Sequence, residues 1–270
     1  MSRRIPVYLS TRTCVDLSVV DTLALASELG YDGVEVWIDD LLRSEADPAA
    51  VRLEAARRQL QLSVHAPSYD LNPTSTNRGI REESVRQILS SLELTAALGA
   101  TVATVHPGQL SGRADIAESY WPAQLGFFVS AFGRARELGV IASAEHMERG
   151  LKHIFGTPED VARLRKETGE QAVPFAYTLD IAHCHTHGIR VADFLSRAGM
   201  PRHVHLSDAS EQKTHHGAMG EGTTDIRGGL NDLLDAGYPH AIAIEGVARG
   251  RARAVATSNL RLCDEILRKS

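Results

Sequence analysis

The chain has 270 residues, of which 43% are hydrophobic and 23% charged, and its net charge is -5. A chain of this length can form one large α/β domain with a substantial core, and its mild acidity gives no overall attraction to nucleic acid or to anionic membranes. Three widely separated cysteines support neither a disulfide framework nor a zinc ribbon, and no apolar run approaches the length of a transmembrane helix.

The first residues carry two arginines without an apolar segment behind them, so the sequence predicts no export signal. Unpaired cysteines are typical of a reducing compartment. We therefore expect a cytoplasmic protein.

Short β-prone runs alternate along the chain with segments of helical spacing. The first run, 5–10, leads into a helix over 17–29 that Gly30 closes. The predicted strands are 5–10, 34–37, 62–65, 101–106, 140–145, 175–180, 203–206 and 241–245, and the predicted helices are 17–29, 48–60, 81–98, one that ends at 138, 158–168, 191–198, 225–236 and 254–267.

About eight βα units predict a parallel sheet that closes into a single (β/α)₈ barrel over residues 1–270. No GxGxxG segment follows the first strand, which weakens the alternative of an open dinucleotide-binding sheet. No linker, low-complexity segment or charge block divides the chain, so we expect one domain.

Polar residues stand near the C-terminal ends of seven predicted strands. In an α/β barrel these ends converge on one mouth, so residues far apart in sequence become neighbours. A rim of carboxylates and imidazoles without matching lysines implies a cation, since buried unpaired carboxylates are costly. The rim residues are Glu35, His65, His106, Glu145, Asp180, His205 and Glu245.

The last four strands supply the residues best suited to a metal. Three carboxylates and one imidazole suit Mn²⁺, Mg²⁺, Co²⁺ or Zn²⁺ and leave positions open for substrate oxygens. His65 and His106 would either add a second metal that shares Glu145 or support the site and bind substrate hydroxyls. His183 lies about one helical turn from Asp180, so both side chains can point into the same space.

A polar, glycine-rich loop from 207 to 222 is too long for a plain connector, and long loops in compact domains tend to be functional. Within it His215 is a candidate ligand or substrate contact. His185 and His187 receive no role. Substrate-binding candidates are Glu35, Trp37, Asp208 and Glu221, and specificity is expected from loops such as 72–78 and 109–121.

These segments together resemble the xylose-isomerase-like TIM-barrel superfamily, which includes sugar isomerases and epimerases and the endonuclease-IV-type AP endonucleases. The resemblance runs nearly end to end. It rests on the order and spacing of segments 31–35, 64–67, 105–108, 144–145, 178–183, 204–208, 216–222 and 244–245.

In the isomerase and epimerase branch, the resemblance implies a metal held by the residues matching Glu145, Asp180, His205 and Glu245. Glu145 and Glu245 would act as the catalytic pair, one removing the proton next to a carbonyl and the other returning it, through a metal-stabilised enediolate. His183 would hold a substrate oxygen.

In the endonuclease branch, the resemblance implies three zinc ions. His65, His106 and Glu145 would hold the first ion. The second ion would be held by the four-residue group, which consists of Glu145, Asp180, His205 and Glu245. His183 and His215 would supply part of the site for the third ion. The chain departs from that branch in two places. Lys213 replaces an aspartate ligand, and Ser68, followed by Tyr69, stands where a tyrosine is expected. A lysine would repel Zn²⁺, so Lys213 leaves the third metal in question.

We therefore expect a divalent-metal-dependent isomerase or epimerase of a small sugar, sugar phosphate or inosose, with a carbohydrate as its partner. The alternative is a zinc-dependent phosphodiester hydrolase of the AP-endonuclease type, which the acidic composition disfavours. A barrel that has lost catalysis is the third hypothesis, and the intact carboxylate ring opposes it. Homodimeric and homotetrameric assembly both stay open.

Overall fold

Eight parallel strands close into a barrel in this computed structural model, which describes residues 5–210 and 213–268. The order around the barrel follows the chain, with β1 paired to the last strand. Helices surround the strands, so the structure confirms a single (β/α)₈ barrel.

The barrel strands are β1 (Val7–Ser10), β2 (Gly33–Trp37), β3 (Gln61–His65), β4 (Val102–Val105), β5 (Ile141–Glu145), β6 (Tyr177–Asp180), β7 (His203–Leu206) and β10 (Ile242–Ile244). The helices are α1 (Val19–Leu29), α2 (Ile38–Arg43), α3 (Pro48–Arg57), α4 (Arg78–Ala97), α5 (Ala117–Leu138), α6 (Pro158–Glu170), α7 (Ile181–His187), α8 (Val191–Ala198), α9 (Ile226–Asp235) and α10 (Ala252–Leu267).

Local sequence accounts for many of these boundaries. The side chain of Ser18 caps α1 at its N-terminus, and Gly30 ends it in the left-handed conformation that glycine adopts without strain. Thr157 and Asp160 form a capping box at the start of α6. The predicted elements therefore lie close to the observed ones.

Three features were not predicted from the sequence: the short helices α2 and α7, and a hairpin formed by β8 (Asp208–Ser210) and β9 (Lys213–Gly217). All three lie just beyond the C-terminal ends of barrel strands. The hairpin occupies the segment that the sequence analysis assigns to an irregular loop. Together they build the walls around the barrel mouth.

Side chains alternate between the two faces of each barrel strand. The outward residues pack against the helices in one large apolar cluster. The inward residues are largely polar, and beneath the mouth Thr104, Ser143 and Thr178 are joined by hydrogen bonds of 2.8 and 3.1 Å. The barrel interior is therefore a polar support for the side chains above it.

In the described part of the chain, no helix is long and apolar enough to cross a membrane.

Candidate metal centre

Four acidic and imidazole side chains meet at the C-terminal mouth of the barrel. Glu145 ends β5, Asp180 ends β6, His205 lies in β7, and Glu245 directly follows β10. One ligand atom from each lies within 4.8 Å of the others, and all four side chains are buried. The structure thus brings together the group that was predicted to hold a metal.

His205 connects this group to the barrel interior. Its Nδ1 lies 2.8 Å from Glu145 Oε1 and 3.4 Å from Glu245 Oε2. Its Nε2 lies on the other side, 3.2 Å from Glu35 Oε2. Burial disfavours a charged imidazole, but the carboxylates, Glu245 foremost, outweigh burial and hold the pKa of His205 well above its ordinary value.

The carboxylates respond to this crowding in different ways. Burial raises the pKa of Asp180 to about 6, with a further contribution from the negative charge of Glu245. Glu245 itself is held at a pKa of about 2, because His205 and His216 outweigh its burial. The imidazoles of His205 and His216 therefore offset part of the negative charge of the carboxylates.

The donor set fits a divalent ion. Asp180 Oδ2 is buried and accepts no hydrogen bond from any described residue. Buried acceptors without a partner are costly unless something positive satisfies them. Three carboxylates and one imidazole are ligands that Mn²⁺, Co²⁺ and Zn²⁺ accept. The buried group therefore indicates a divalent-metal site.

A second group adjoins the first through Glu145. Nε2 of His106 lies 3.0 Å from Glu145 Oε2, and Nε2 of His65 lies 3.5 Å from the same oxygen. His65 donates its Nδ1 proton to the backbone oxygen of Ala66, at 2.7 Å. Its Nε2 is directed into the site. These atoms could hold a second ion or orient a substrate hydroxyl.

A third group adjoins the first through Asp180 and contains His183 and His216. The sequence predicts His215 as the loop ligand. The structure brings its neighbour His216 to the site, where Nδ1 of His216 lies 3.0 Å from Glu245 Oε1. The side chains of Lys213 and His215 lie outside what the structure describes, so the predictions made for them stay predictions.

The hairpin reaches the mouth because Gly246 has no side chain. A Cβ at that position would lie 2.3 Å from the carbonyl oxygen of Gly217. His216 also has a φ of +43°, in the left-handed region that a histidine rarely adopts. Such backbone conformations persist where the surrounding structure enforces them, often at functional sites.

The residues predicted to contact substrate occupy different surroundings. Trp37 lies at the rim and stacks on His65, with ring centroids 3.7 Å apart. The guanidinium carbon of Arg12 lies over the Trp37 ring, 4.9 Å from its centroid. Tyr69, displaced by one residue from the expected position, lies 6.3 Å from Trp37 and is half exposed. Trp37 thus contacts both His65 and Arg12 and is only 8% exposed.

Glu35 lies one layer below the rim, because β2 continues to Trp37 and Glu35 pairs in register with Ser63. Its carboxylate contacts His203 at 2.8 Å as well as His205. It is fully buried. This placement favours support of His205 over the substrate contact predicted from the sequence.

Asp208 and Glu221 bind protein groups. Asp208 accepts hydrogen bonds from four backbone N–H groups of the 207–224 segment. Glu221 is exposed and pairs with Arg251 at 2.7 Å. Neither carboxylate contacts a residue of the four-residue group, which favours structural roles for both.

Four residues at the site received no role from the sequence: His146, Glu148, His203 and His216. His146 accepts a hydrogen bond from the backbone N–H of Asp180 at 3.0 Å, and burial lowers its pKa to about 3. His203 stands two residues before His205, and side chains two residues apart in a strand point to the same face. This spacing could have predicted that His203 faces the barrel interior. Glu148 lies in a loop, where no such periodicity exists.

Residues 23–266 match the model of a family described as xylose isomerase-like TIM barrel. Two uncharacterized proteins of Methanocaldococcus jannaschii are 30% and 25% identical, over 70% and 67% of this chain. The matches span 65% and 64% of those relatives, slightly less than two thirds of their length. An uncharacterized protein of Mycobacterium tuberculosis is 26% identical over 98% of this chain and 94% of its own.

Solved structures share this fold over nearly the whole chain. A D-tagatose 3-epimerase-like protein has a TM-score of 0.80 at 21% identity, over 97% of this chain and 99% of its own. The 3-keto-D-glucoside 4-epimerase of E. coli has a TM-score of 0.79 at 18% identity, over 97% and 99%. The IOLI protein with a zinc atom has a TM-score of 0.82 at 14% identity, over 97% and 98%.

Proposed function

The chain belongs to the xylose isomerase-like TIM barrel family, and on this basis we propose that it is a divalent-metal-dependent isomerase or epimerase. Its substrate would be a small sugar, sugar phosphate or inosose. The observation that carries the proposal is the buried group of Glu145, Asp180, His205 and Glu245 at the barrel mouth. Two carboxylates there converge on one imidazole and on the space above it.

The two glutamates are the proton-transfer groups in this proposal. A divalent ion held by the four residues would supply Lewis-acid polarisation of the substrate carbonyl, which lowers the pKa of the adjacent C–H. Glu145 or Glu245 would remove that proton, and the other glutamate would return it to the carbon. Both carboxylates are held ionised at neutral pH by the neighbouring imidazoles, as a general base requires.

Protein groups around the pair keep it in position. Glu35 holds Nε2 of His205, so that Nδ1 stays directed at the carboxylates. His146 holds the backbone N–H of Asp180. Trp37 stacks on His65 and so fixes the orientation of the His65 ring.

The similar structures support this proposal without defining the reaction. Two are named for sugar epimerases, and that of the IOLI protein contains zinc. Sequence identities of 14–21% show only that the fold is shared, so the substrate has to be identified by experiment.

Solvent exchange tests the proposal directly. Candidate ketoses and inososes are incubated in D₂O with the protein and Mn²⁺ or Co²⁺, and the proton beside the carbonyl is followed by NMR. We expect exchange with at least one substrate, and a loss of about 100-fold or more in the Glu245→Gln variant. Glu170→Gln, on the exposed face of α6, serves as the charge-matched control. Metal-loaded protein that exchanges no proton across the panel would refute the proposal.

A phosphodiester hydrolase is the second candidate, favoured by the two further groups that share Glu145 and Asp180 with the first. Closely spaced metal sites activate water and stabilise the leaving oxygen in such enzymes. A duplex oligonucleotide with one abasic site decides between the two. Metal-dependent incision at that site, in the absence of sugar exchange, would reverse the ranking.

A further inference from the structure

A cavity of about 420 Å³ lies at the N-terminal end of the barrel, the end opposite the candidate metal centre. It is lined where three strands begin: Ile141 and Tyr177 are the first residues of β5 and β6, and Arg202 directly precedes β7. Glu145 ends β5 at the mouth, about 13 Å further along the strand. The cavity is therefore separate from the proposed catalytic centre.

Apolar and aromatic side chains form most of the cavity wall. Phe132 of α5 is buried, and its ring is nearly perpendicular to that of Phe175, with centroids 5.9 Å apart. Phe175 also stacks on Tyr177, at 6.2 Å. Met200, another lining residue, is 45% exposed. Mainly apolar cavities of about 300–1,000 Å³ are typical of small-molecule sites.

Two guanidinium groups interrupt this apolar wall. Arg165 of α6 and Arg202 both line the cavity, and neither forms an ion pair with a carboxylate of the described residues. Arg165 donates a hydrogen bond to the carbonyl oxygen of Ala198, at 2.7 Å. The guanidinium of Arg202 makes no hydrogen bond with any residue that the structure describes. Its N–H donors are therefore available to a ligand.

Arg202 also faces a second, more polar cavity at the same end of the barrel. This cavity has a volume of about 180 Å³ and shares Arg202 and His240 with the first. Tyr8 and Gln61 line it, and the Tyr8 hydroxyl donates to Gln61 Oε1 at 2.8 Å. Burial lowers the pKa of His240, and the charge of Arg202 lowers it further, so His240 is neutral at pH 7. Arg202 thus supplies the positive charge where the two cavities meet.

We propose that the larger cavity binds a small organic carboxylate with an apolar ring, whose carboxylate pairs with Arg202 while the ring packs against Phe175 and Met200. A guanidinium presents parallel N–H donors that match the two oxygens of a carboxylate. An apolar wall offers no partners to the hydroxyls of a sugar, so the proposed substrate does not suit this cavity.

The single charge of a carboxylate also suits Arg202 better than a phosphate monoester does. A phosphate monoester carries a charge of about -1.5 to -2 at pH 7 and has three strongly accepting oxygens. Among the described lining residues, only the Arg202 guanidinium is free of a hydrogen bond to protein and positively charged. The charge of the cavity therefore matches a monoanion.

Direct binding of a model compound tests the site. Protein in chelator is titrated by calorimetry with 2-naphthoate, and separately with 2-naphthamide, which has the same ring without the charge. We expect one equivalent of 2-naphthoate to bind, and the amide to bind about 10-fold more weakly, because it forms no charge-assisted hydrogen bonds. Inorganic phosphate should not displace 2-naphthoate. Displacement by phosphate, or no saturable binding of 2-naphthoate, would overturn the proposal.

Arg202→Gln should weaken binding of 2-naphthoate about 10-fold and leave binding of 2-naphthamide unchanged. Arg197→Gln is the charge-matched control, since Arg197 lies on α8 and pairs with Glu159 at 2.8 Å, and it should bind 2-naphthoate as wild type does. Met200→Glu places a like charge beside the carboxylate and should also weaken its binding. Circular dichroism and thermal unfolding establish that each variant is folded. Equal affinities of folded Arg202→Gln and wild type for 2-naphthoate would refute the assignment.

Two further measurements locate the bound probe. Binding that requires Mn²⁺ would place 2-naphthoate at the metal centre and overturn the proposal, whereas we expect the same affinity with chelator and with Mn²⁺. Sedimentation velocity should show no change of oligomeric state on binding. A dimer that dissociates when 2-naphthoate binds would instead assign the cavity to a second copy of this chain.

This inference does not depend on the proposed reaction. Binding of 2-naphthoate through Arg202, combined with no proton exchange on any sugar, would retain the carboxylate site and remove the isomerase assignment. Sugar exchange by protein that does not bind 2-naphthoate would do the reverse.

Discussion

At the scale of single residues, the site depends on which nitrogen of each histidine faces the carboxylates. His205 presents Nδ1 to Glu145 because Glu35 holds its Nε2 from below. His183 presents Nε2 because its Nδ1 is held by the backbone of His146. Hydrogen bonds of this kind fix the tautomer of a metal-ligating histidine and strengthen its ligand nitrogen.

Glu35→Gln should weaken metal binding while leaving the four-residue group in place. An amide can donate to Nε2 of His205 and so favours the tautomer that directs a proton, not a lone pair, at the carboxylates. We expect the Kd for Mn²⁺, measured by calorimetry, to rise about 10- to 100-fold. Ser63→Ala removes a 3.3 Å hydrogen bond to the same carboxylate and is the control. An unchanged Kd in Glu35→Gln would show that Glu35 does not position His205.

Trp37→Phe tests the rim as a substrate surface. Nε1 of Trp37 is buried and has no hydrogen-bond partner among the described residues, so it is available to a ligand. Removing one such hydrogen bond costs about 1 kcal/mol, which corresponds to a rise in KM of about fivefold. Tyr8→Phe removes a hydroxyl bonded to Gln61, outside the metal groups, and should leave KM unchanged. Equal KM values for Trp37→Phe and wild type would contradict the substrate contact.

At the scale of elements, the hairpin of β8 and β9 brings His216 to the site. Its backbone binds Val247 through the carbonyl of His216, at 2.6 Å, and passes close over Gly246. The segment that follows returns to Asp208 through its backbone N–H groups. The hairpin is thus held both by the segment after β10 and by the segment that follows the hairpin itself.

Asp208→Ala should loosen this hairpin. Asp208 is buried, which raises its pKa, but the N–H groups of Gly222, Thr224 and Gly220 outweigh burial and hold the pKa below its ordinary value. The stabilisation is therefore complete at neutral pH and is lost as the pH falls through the lowered pKa. We expect a loss of about 1–3 kcal/mol and faster hydrogen exchange in 207–224.

Glu221→Gln is the control for Asp208→Ala, since Glu221 lies in the same segment but is exposed and forms a surface ion pair with Arg251. Such pairs contribute at most about 1 kcal/mol. Unchanged exchange rates in Asp208→Ala would show that the hairpin is held by its other contacts.

At the scale of the whole molecule, closure of the barrel gathers carboxylates that the chain distributes over a hundred residues. Glu145, Asp180 and Glu245 are buried together, with protonated imidazoles as their only described counter-charges. Folding therefore concentrates negative charge at the mouth, and a divalent ion should stabilise the folded barrel.

Metal removal should lower the thermal stability of the entire domain. At an ion concentration about 100 times Kd, binding to the folded state alone adds about 2.7 kcal/mol. For a domain of this size, that corresponds to a rise in Tm of about 5–10 °C. Calorimetry with chelator and then with excess Mn²⁺ measures the difference. Glu245→Gln should show a smaller rise, and an equal rise would place the stabilising ion elsewhere.

Much of the fold follows from local sequence. The alternation of apolar strands and amphipathic helices, punctuated by Gly30 and Gly139, predicts eight βα units, and eight such units predict a closed barrel. Closure in turn predicts that residues at strand ends meet. Asp180 and Glu245 were assigned to one group on this reasoning alone, and the structure brings them together with Glu145 and His205.

Only the tertiary structure decided the remaining contacts of the site. Loop conformations, and the depth at which a residue lies within the barrel, leave no periodic pattern in the sequence. Strand alternation places Glu35 below the mouth and Trp37 at it, a difference of one layer that register determines. The geometry of the hairpin brings His216 next to Glu245. The path of the chain after β5 brings Glu148 next to His183. Sequence thus determined the barrel and the four residues that meet at its mouth, whereas the contacts between distant loops determined which further side chains face them.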